Sequence, residues 1–214
     1  MKDIDLFQEP NSRSQIIASS GPFQVEFISY VGTNDYKSLI DISESLVEEY
    51  GNVAKLTPNT IQTYFNRLGS LPFIARYQGN IIGYIIGLPL EILSKEPWAR
   101  LDINFNKNNT IYTYAFVIQK KFKGNGYAKI LKRVYLNWVR KQENILFITG
   151  HVKSGISSRF TGNINIVDRI ENWQGTGEIF EYYRRELDPE KIYNSKSKPS
   201  KSQESDNDTT SNLS

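Results

Sequence analysis

The chain has 214 residues, a net charge of +3, 39% hydrophobic and 13% aromatic residues, which suits one sizeable core with tails. It has no cysteine, and that excludes a disulfide framework, a thiolate metal site and an acyl-cysteine intermediate. The near-neutral balance is not that of a protein built to coat nucleic acid. The most apolar window, residues 81–90, falls short of the roughly 20 residues that a membrane span needs. Met1 to Leu6 lack the apolar run of a secretion signal, so the expectation is a cytoplasmic protein without a membrane segment.

Residues 1–21 are polar and unpatterned and are expected to form a flexible arm. Phe23 to Val31 alternate as a half-buried strand does. Thr33, Asn34 and Asp35 offer caps for a helix that carries Leu39, Ile42, Leu46 and Val47 and ends near Gly51. Thr57-Pro58 starts a second helix, with the cap followed by proline at the first helical position. Residues 72–88 read as a hairpin turning at Gly79-Asn80, and residues 97–109 as a polar loop.

Thr110 to Ile118 is rich in β-branched and aromatic residues, as a buried strand should be. Gly124-Asn125-Gly126 follows, then an amphipathic run to Lys141 with Tyr127, Ile130, Leu131, Val134, Tyr135 and Trp138 at helical spacing. Residues 145–152 form a second apolar strand, which makes a parallel β-α-β unit. Glycines before a helix N-terminus let backbone amides approach an anion, most often phosphate. From Lys120 to Lys141 there are eight basic residues and no acidic one, so the local charge agrees. Beyond this unit, residues 155–159 suggest a short helix, 164–170 a strand or helix end, and 178–187 a last strand. Residues 194–214 are serine-rich and without aromatics, the composition of a disordered tail.

Lys123-Gly124-Asn125-Gly126-Tyr127-Ala128 resembles the pyrophosphate loop of the GNAT superfamily, the acetyl-CoA-dependent N-acetyltransferases, with Lys123 where the family has Arg or Gln. The element order across residues 22–193 is similar too. The resemblance implies an α/β (α+β) fold: a mixed, mostly antiparallel sheet flanked by helices, its parallel β-α-β unit carrying the acyl-CoA site. It implies acetyl-CoA as co-substrate, no metal, and transfer of its acetyl (or another short acyl) group by direct attack of a primary amine on the thioester. Backbone groups of Phe116, Val117 and Ile118 would bind the pantetheine arm, and those of residues 123–128 the pyrophosphate. It is compatible with a homodimer.

The general base and acid stay open. Strand 110–118 has no carboxylate, and residues 153–173 have no tyrosine, where members of the family place such groups. His151, the one histidine, is a candidate base at the end of the second parallel strand. Tyr114 is a candidate proton donor. Glu91 and Asp102 could attract a cationic amine, and Trp173 could wall its pocket or belong only to a glycine-shaped turn. Two other functions compete with the enzyme: a non-catalytic acyl-CoA sensor of the same fold, and a nucleic-acid-binding module using the basic helix. The charge balance and the apolar face of that helix count against the second.

Overall fold

The computed structural model describes residues 9–188 and 190–192. Its centre is an eight-stranded sheet in the order β1-β2-β3-β4-β5-β6-β8-β7. The strands are β1 (Arg13–Ser20), β2 (Phe23–Tyr30), β3 (Leu71–Tyr77), β4 (Asn80–Pro89), β5 (Thr110–Ile118), β6 (Phe147–Lys153), β7 (Ile164–Ile170) and β8 (Phe180–Glu186). Every neighbouring pair is antiparallel except β5–β6. The mixed, mostly antiparallel sheet with one parallel unit is the fold expected from the sequence.

Helices cover both faces. On one lie α1 (Thr33–Tyr50) and α2 (Pro58–Thr60), the latter running into a π turn at Ile61–Phe65. Leu39, Ile42, Leu46, Ile61 and Phe65 pack there against Ile74, Tyr84, Ile86 and Tyr112. A short helix, α3 (Pro97–Leu101), precedes β5. On the other face α4 (Tyr127–Arg140) buries Leu131, Tyr135 and Val139 against Phe73, Ile85, Ile111 and Ile148. Each fully buried side chain of this kind contributes about 1.5–3 kcal/mol. Because β4 is covered on both faces, it reads as an unbroken apolar run rather than an alternation.

Three expectations need correction. Arg13–Ser20, within the segment expected to be a loose arm, pairs antiparallel with β2 as an edge strand. Its residues are mostly exposed on both faces, so no apolar alternation announces it, and backbone pairing holds it instead. The hairpin turns at Gln78-Gly79, one residue earlier than read, since Tyr77 pairs with Asn80. Both turn residues have positive φ, which matches the right-handed twist of the flanking strands. Residues 97–109 are not all loop, because Pro97 starts α3. The serine-rich tail, residues 194–214, lies outside the described residues.

The parallel pair is short. Only Thr110↔Phe147, Ile111↔Ile148 and Tyr112↔Thr149 are in register. On the β4 side, β5 stays paired to Ile118, with a bulge that sets Tyr114 between the pairs Gly87↔Thr113 and Ile86↔Ala115. From Thr113 onward β5 therefore has a strand partner on one side and none on the other. A backbone edge of that kind inside a fold needs hydrogen-bond partners from elsewhere.

Candidate active site

The gap between β5 and β6 opens into a cleft of about 620 Å³ that passes through the sheet. Its wall on the α1/α2 face includes Tyr50, Tyr64, Glu96, Trp98, Tyr112, Tyr114, His151 and Trp173, and on the α4 face Lys132, Leu136, Phe160, Tyr183 and Arg185. Phe116 also lines it. Val117 and Ile118 continue the same free edge, with their side chains buried.

At the end of β5 the chain makes a 3₁₀ turn, Lys120–Phe122, and enters the glycine turn. Gly124 and Gly126 have φ of +87° and +78°, the left-handed region that glycine adopts without steric cost. Space above both is open. The amides of Gly124 to Lys129 donate to no backbone carbonyl, while Lys123 donates its own to Lys120 at 3.2 Å. Lys123 therefore offers its side chain rather than its amide, which trims the run of donors expected from the sequence. Asn125 braces the turn by donating from Nδ2 to the Phe122 carbonyl at 3.2 Å. Tyr127 anchors it: its ring stacks on Phe23 at 4.4 Å and meets Tyr77 and Phe122, each such pair being worth about 0.5–1.5 kcal/mol. Ala128 is exposed on the first turn of α4. Free amides, a helix N-terminus and open space fit a diphosphate, and the unpartnered edge of β5 fits an extended amide-bearing arm.

His151 sits inside an aromatic box. Its ring stacks on Trp173 at 3.8 Å and on Tyr182 at 4.8 Å, and meets Trp98 edge-on at 4.7 Å. Its Nδ1 is hydrogen-bonded to the Tyr112 hydroxyl at 2.9 Å. Burial lowers its pKa from 6.5 to about 3, because the charged form loses its hydration. Such a ring is a poor base near neutral pH, and the base role drawn from the sequence is not kept. His151 Nε2 and Trp98 Nε1 are buried without a partner among the described residues. Both residues line the cleft, so a ligand there meets two unused hydrogen-bonding groups.

Tyr114, at the bulge, faces Tyr64 of the π turn, their rings 4.5 Å apart. Burial first, then Tyr64 and the Glu96 carboxylate, push its phenol up, so it stays protonated. Glu96 supplies the sole carboxylate among the residues lining the cleft. Sequence reasoning missed it, pointing instead to Asp102 and Glu91. Asp102 is occupied by the Tyr182 hydroxyl at 2.6 Å and by Arg184 at 2.8 Å. Glu91 accepts from the Asn108 amide at 2.9 Å. Both tie loops to the frame. The one local signal for Glu96 was its place before Pro97, which makes it the N-cap residue of α3. Trp173 does wall the cleft, and the left-handed residues Asn172, Gln174, Gly175 and Gly177 around it shape the turn as well.

Tyr183 was also missed. It comes from β8 opposite Gly150 of β6. A methyl group at Gly150 would lie 3.1 Å from the Tyr183 ring, so the absence of a side chain there lets the phenol reach the gap. Burial raises its pKa. The sequence signal was only the two-residue period of β8, which puts Glu181, Tyr183 and Arg185 on one face.

A family model described as the acetyltransferase (GNAT) family matches residues 39–155. No curated protein sequence matches the chain. Similar solved structures include the ribosomal-protein-S18-alanine N-acetyltransferase from Escherichia coli, with a TM-score of 0.54 and 9% identity over 77% of this chain and 94% of that one. Ard1 from Thermoplasma volcanium has a TM-score of 0.54 and 15% identity, covering 77% and 97%. For yncA from Salmonella typhimurium, solved with its cofactor acetyl-CoA, the values are 0.55, 14%, 78% and 95%. At these identities the likeness shows the fold.

Because the chain has one histidine, a single imidazole signal reports on the aromatic box. Its proton NMR shift should stay constant from pH 8 to 5. The unfolded chain binds the proton near pH 6.5 and the folded one only near 3, so this group's contribution to stability is full above about 6.5 and is lost as pH falls toward 3. A midpoint between pH 6 and 7 in the folded protein would contradict the buried, neutral ring.

Proposed function

Because the chain belongs to the acetyltransferase (GNAT) family, an acetyl-CoA-dependent N-acetyltransferase, we infer that its acceptor is a cationic primary amine entering from the α1/α2 face. The observation that carries this is the wall of that face, where Tyr50, Tyr64, Trp98, Tyr114 and Trp173 line the cleft with Glu96, the one carboxylate among its described lining residues, while the Lys55 ammonium there is paired with Glu44 at 2.8 Å. Aromatic faces and one carboxylate favour an ammonium group. Among the described residues no helix is long and apolar enough to cross a membrane, and we place the enzyme in the cytoplasm.

The amides of Gly124 to Ala128 hold the diphosphate, with the Lys123 side chain beside them. The free edge of Phe116 to Ile118 holds the pantetheine arm. Acetyl-CoA supplies the acetyl group as a thioester, whose C–S bond breaks as the N–C bond forms. Glu96 takes one proton from the ammonium so that the free amine attacks, and the second proton that the nitrogen loses on becoming an amide replaces the one given to sulfur. Tyr183 returns a proton to the departing sulfur, because its phenol stands in the gap and burial keeps it protonated. Tyr114 shares the acceptor end with Glu96 and Tyr64, and we assign it to positioning the amine. His151 and Trp98 hold the pocket's shape and offer its two unused ring nitrogens.

Two variants test this. Gly126→Asp brings a negative charge among the amides, and each charge-assisted hydrogen bond lost is worth about 1.5–3 kcal/mol. Calorimetric titration should show coenzyme A binding weakened at least about a hundredfold, and Lys123→Ala should weaken it less. A folded Gly126→Asp protein that binds as tightly as wild type would remove the turn from the cofactor site. Glu96→Gln should lower thiol release from acetyl-CoA by about 10²–10⁴-fold with saturating amine, and cofactor affinity should not change. Retention of most of the rate would return Glu96 to capping α3.

A further inference from the structure

On the α4 face the cleft ends at two cations that have no counter-charge among the described residues. Lys132 Nζ lies 3.8 Å from the centre of the Phe160 ring, and Arg185 Cζ lies 5.7 Å from the same ring. Arg185 is 4% exposed, and its Nη1 donates to the Thr161 carbonyl at 2.7 Å. Among the described residues neither cation has a carboxylate within ion-pair distance, and the Lys132 ammonium donates to no oxygen. Burial, and then Arg185, lower the Lys132 pKa to about 8, the effect expected of like charges held together away from water. A buried and a half-buried like charge held together cost stability and favour an anion that joins them.

The position limits what that anion belongs to. Arg185 pairs with Ile148, one residue before the last parallel pair, Tyr112↔Thr149. With strands about 4.8 Å apart and about 3.3 Å per residue, its backbone lies close to where the gap opens. Lys132 lies six residues beyond Gly126, about 9 Å along α4 from the phosphate turn. The segment after β6 holds only a short 3₁₀ turn, Ser157–Arg159, and leaves the cleft open down to Phe160. The two cations therefore lie beside the thioester end of the donor and not beside its diphosphate.

We propose that Lys132 and Arg185 form a carboxylate subsite for the acyl chain, so that the enzyme also takes acyl-CoA donors whose chain ends in a carboxylate, such as succinyl-CoA. The inference rests on the cofactor placement above. The distal carboxylate is unchanged in the transfer, in which the same N–C bond forms and the same C–S bond breaks. Arg185 presents a planar fork to it and Lys132 a point charge.

The test is calorimetric titration of succinyl-CoA, acetyl-CoA and free coenzyme A into the full chain and into Lys132→Met and Arg185→Gln, with circular dichroism as the folding control. Wild type should bind succinyl-CoA about tenfold or more tightly than acetyl-CoA. Lys132→Met, at a half-buried position on the helix surface, should fold and lose that preference, with acetyl-CoA affinity unchanged to within about threefold. Arg185→Gln, where it folds, should do the same. Equal affinity of wild type for both esters overturns the proposal. So does an equal weakening of all three ligands in Lys132→Met, which would assign the pair to the cofactor's own phosphates. Gly126→Asp separates the two levels: it should weaken both esters alike and leave their ratio intact, whereas failure of wild type to bind any of the three ligands would remove the cofactor placement and this subsite with it.

Discussion

The structure depends on the early parting of two parallel strands. Three residue pairs hold β5 to β6, after which the backbone of β5 has no strand beside it. In a closed sheet the following residues would satisfy one another. Here they line a passage, and the groups left over are satisfied by whatever enters. The bulge at Tyr114 turns the strand at this point, and Gly150 leaves the opposite wall bare so that the Tyr183 phenol can stand in the opening. Backbone irregularities of this kind re-aim side chains next to active sites.

The passage has two chemically different ends. Toward α1 and α2 it is aromatic with the Glu96 carboxylate and a Lys55 ammonium already paired with Glu44, and toward α4 it is aromatic with the unpaired Lys132 and Arg185. In the proposed reaction an amine and an anionic donor enter from opposite faces of the sheet and meet where the strands part. The glycine turn lies outside the cleft, fixed by the stack of Tyr127 on Phe23. Its amides are left free because left-handed glycines break the hydrogen-bond ladder just before α4 begins.

Much of the frame was legible in the sequence. Strand β5 was read to the residue, since it is a dense β-branched and aromatic run between polar segments, and α4 followed from its helical period. The glycine turn was legible because it depends on local backbone chemistry. Strand β1 was hidden because an exposed edge strand needs no apolar alternation. The side chains of the proposed site were less legible for a different reason. Glu96, Tyr183, Lys132 and Arg185 come from four separate segments, and only the sheet order brings them to one passage. His151 shows the reverse case. Its type and position suggested a base, but burial among the surrounding rings keeps it from holding the proton that a base must take up.

The free edge of β5 is the central claim, and amide hydrogen exchange tests it most directly. Without ligand, the amides of Thr110 to Tyr112 should be protected by pairing on both sides, while those of Thr113 to Ile118 that point toward β6 should exchange faster. Saturating coenzyme A should slow exchange at Thr113 to Ile118 and at Gly124 to Lys129 together, with Thr110 to Tyr112 unchanged. If coenzyme A binds and the protection of Thr113 to Ile118 does not change, the gap between β5 and β6 is not where the donor lies.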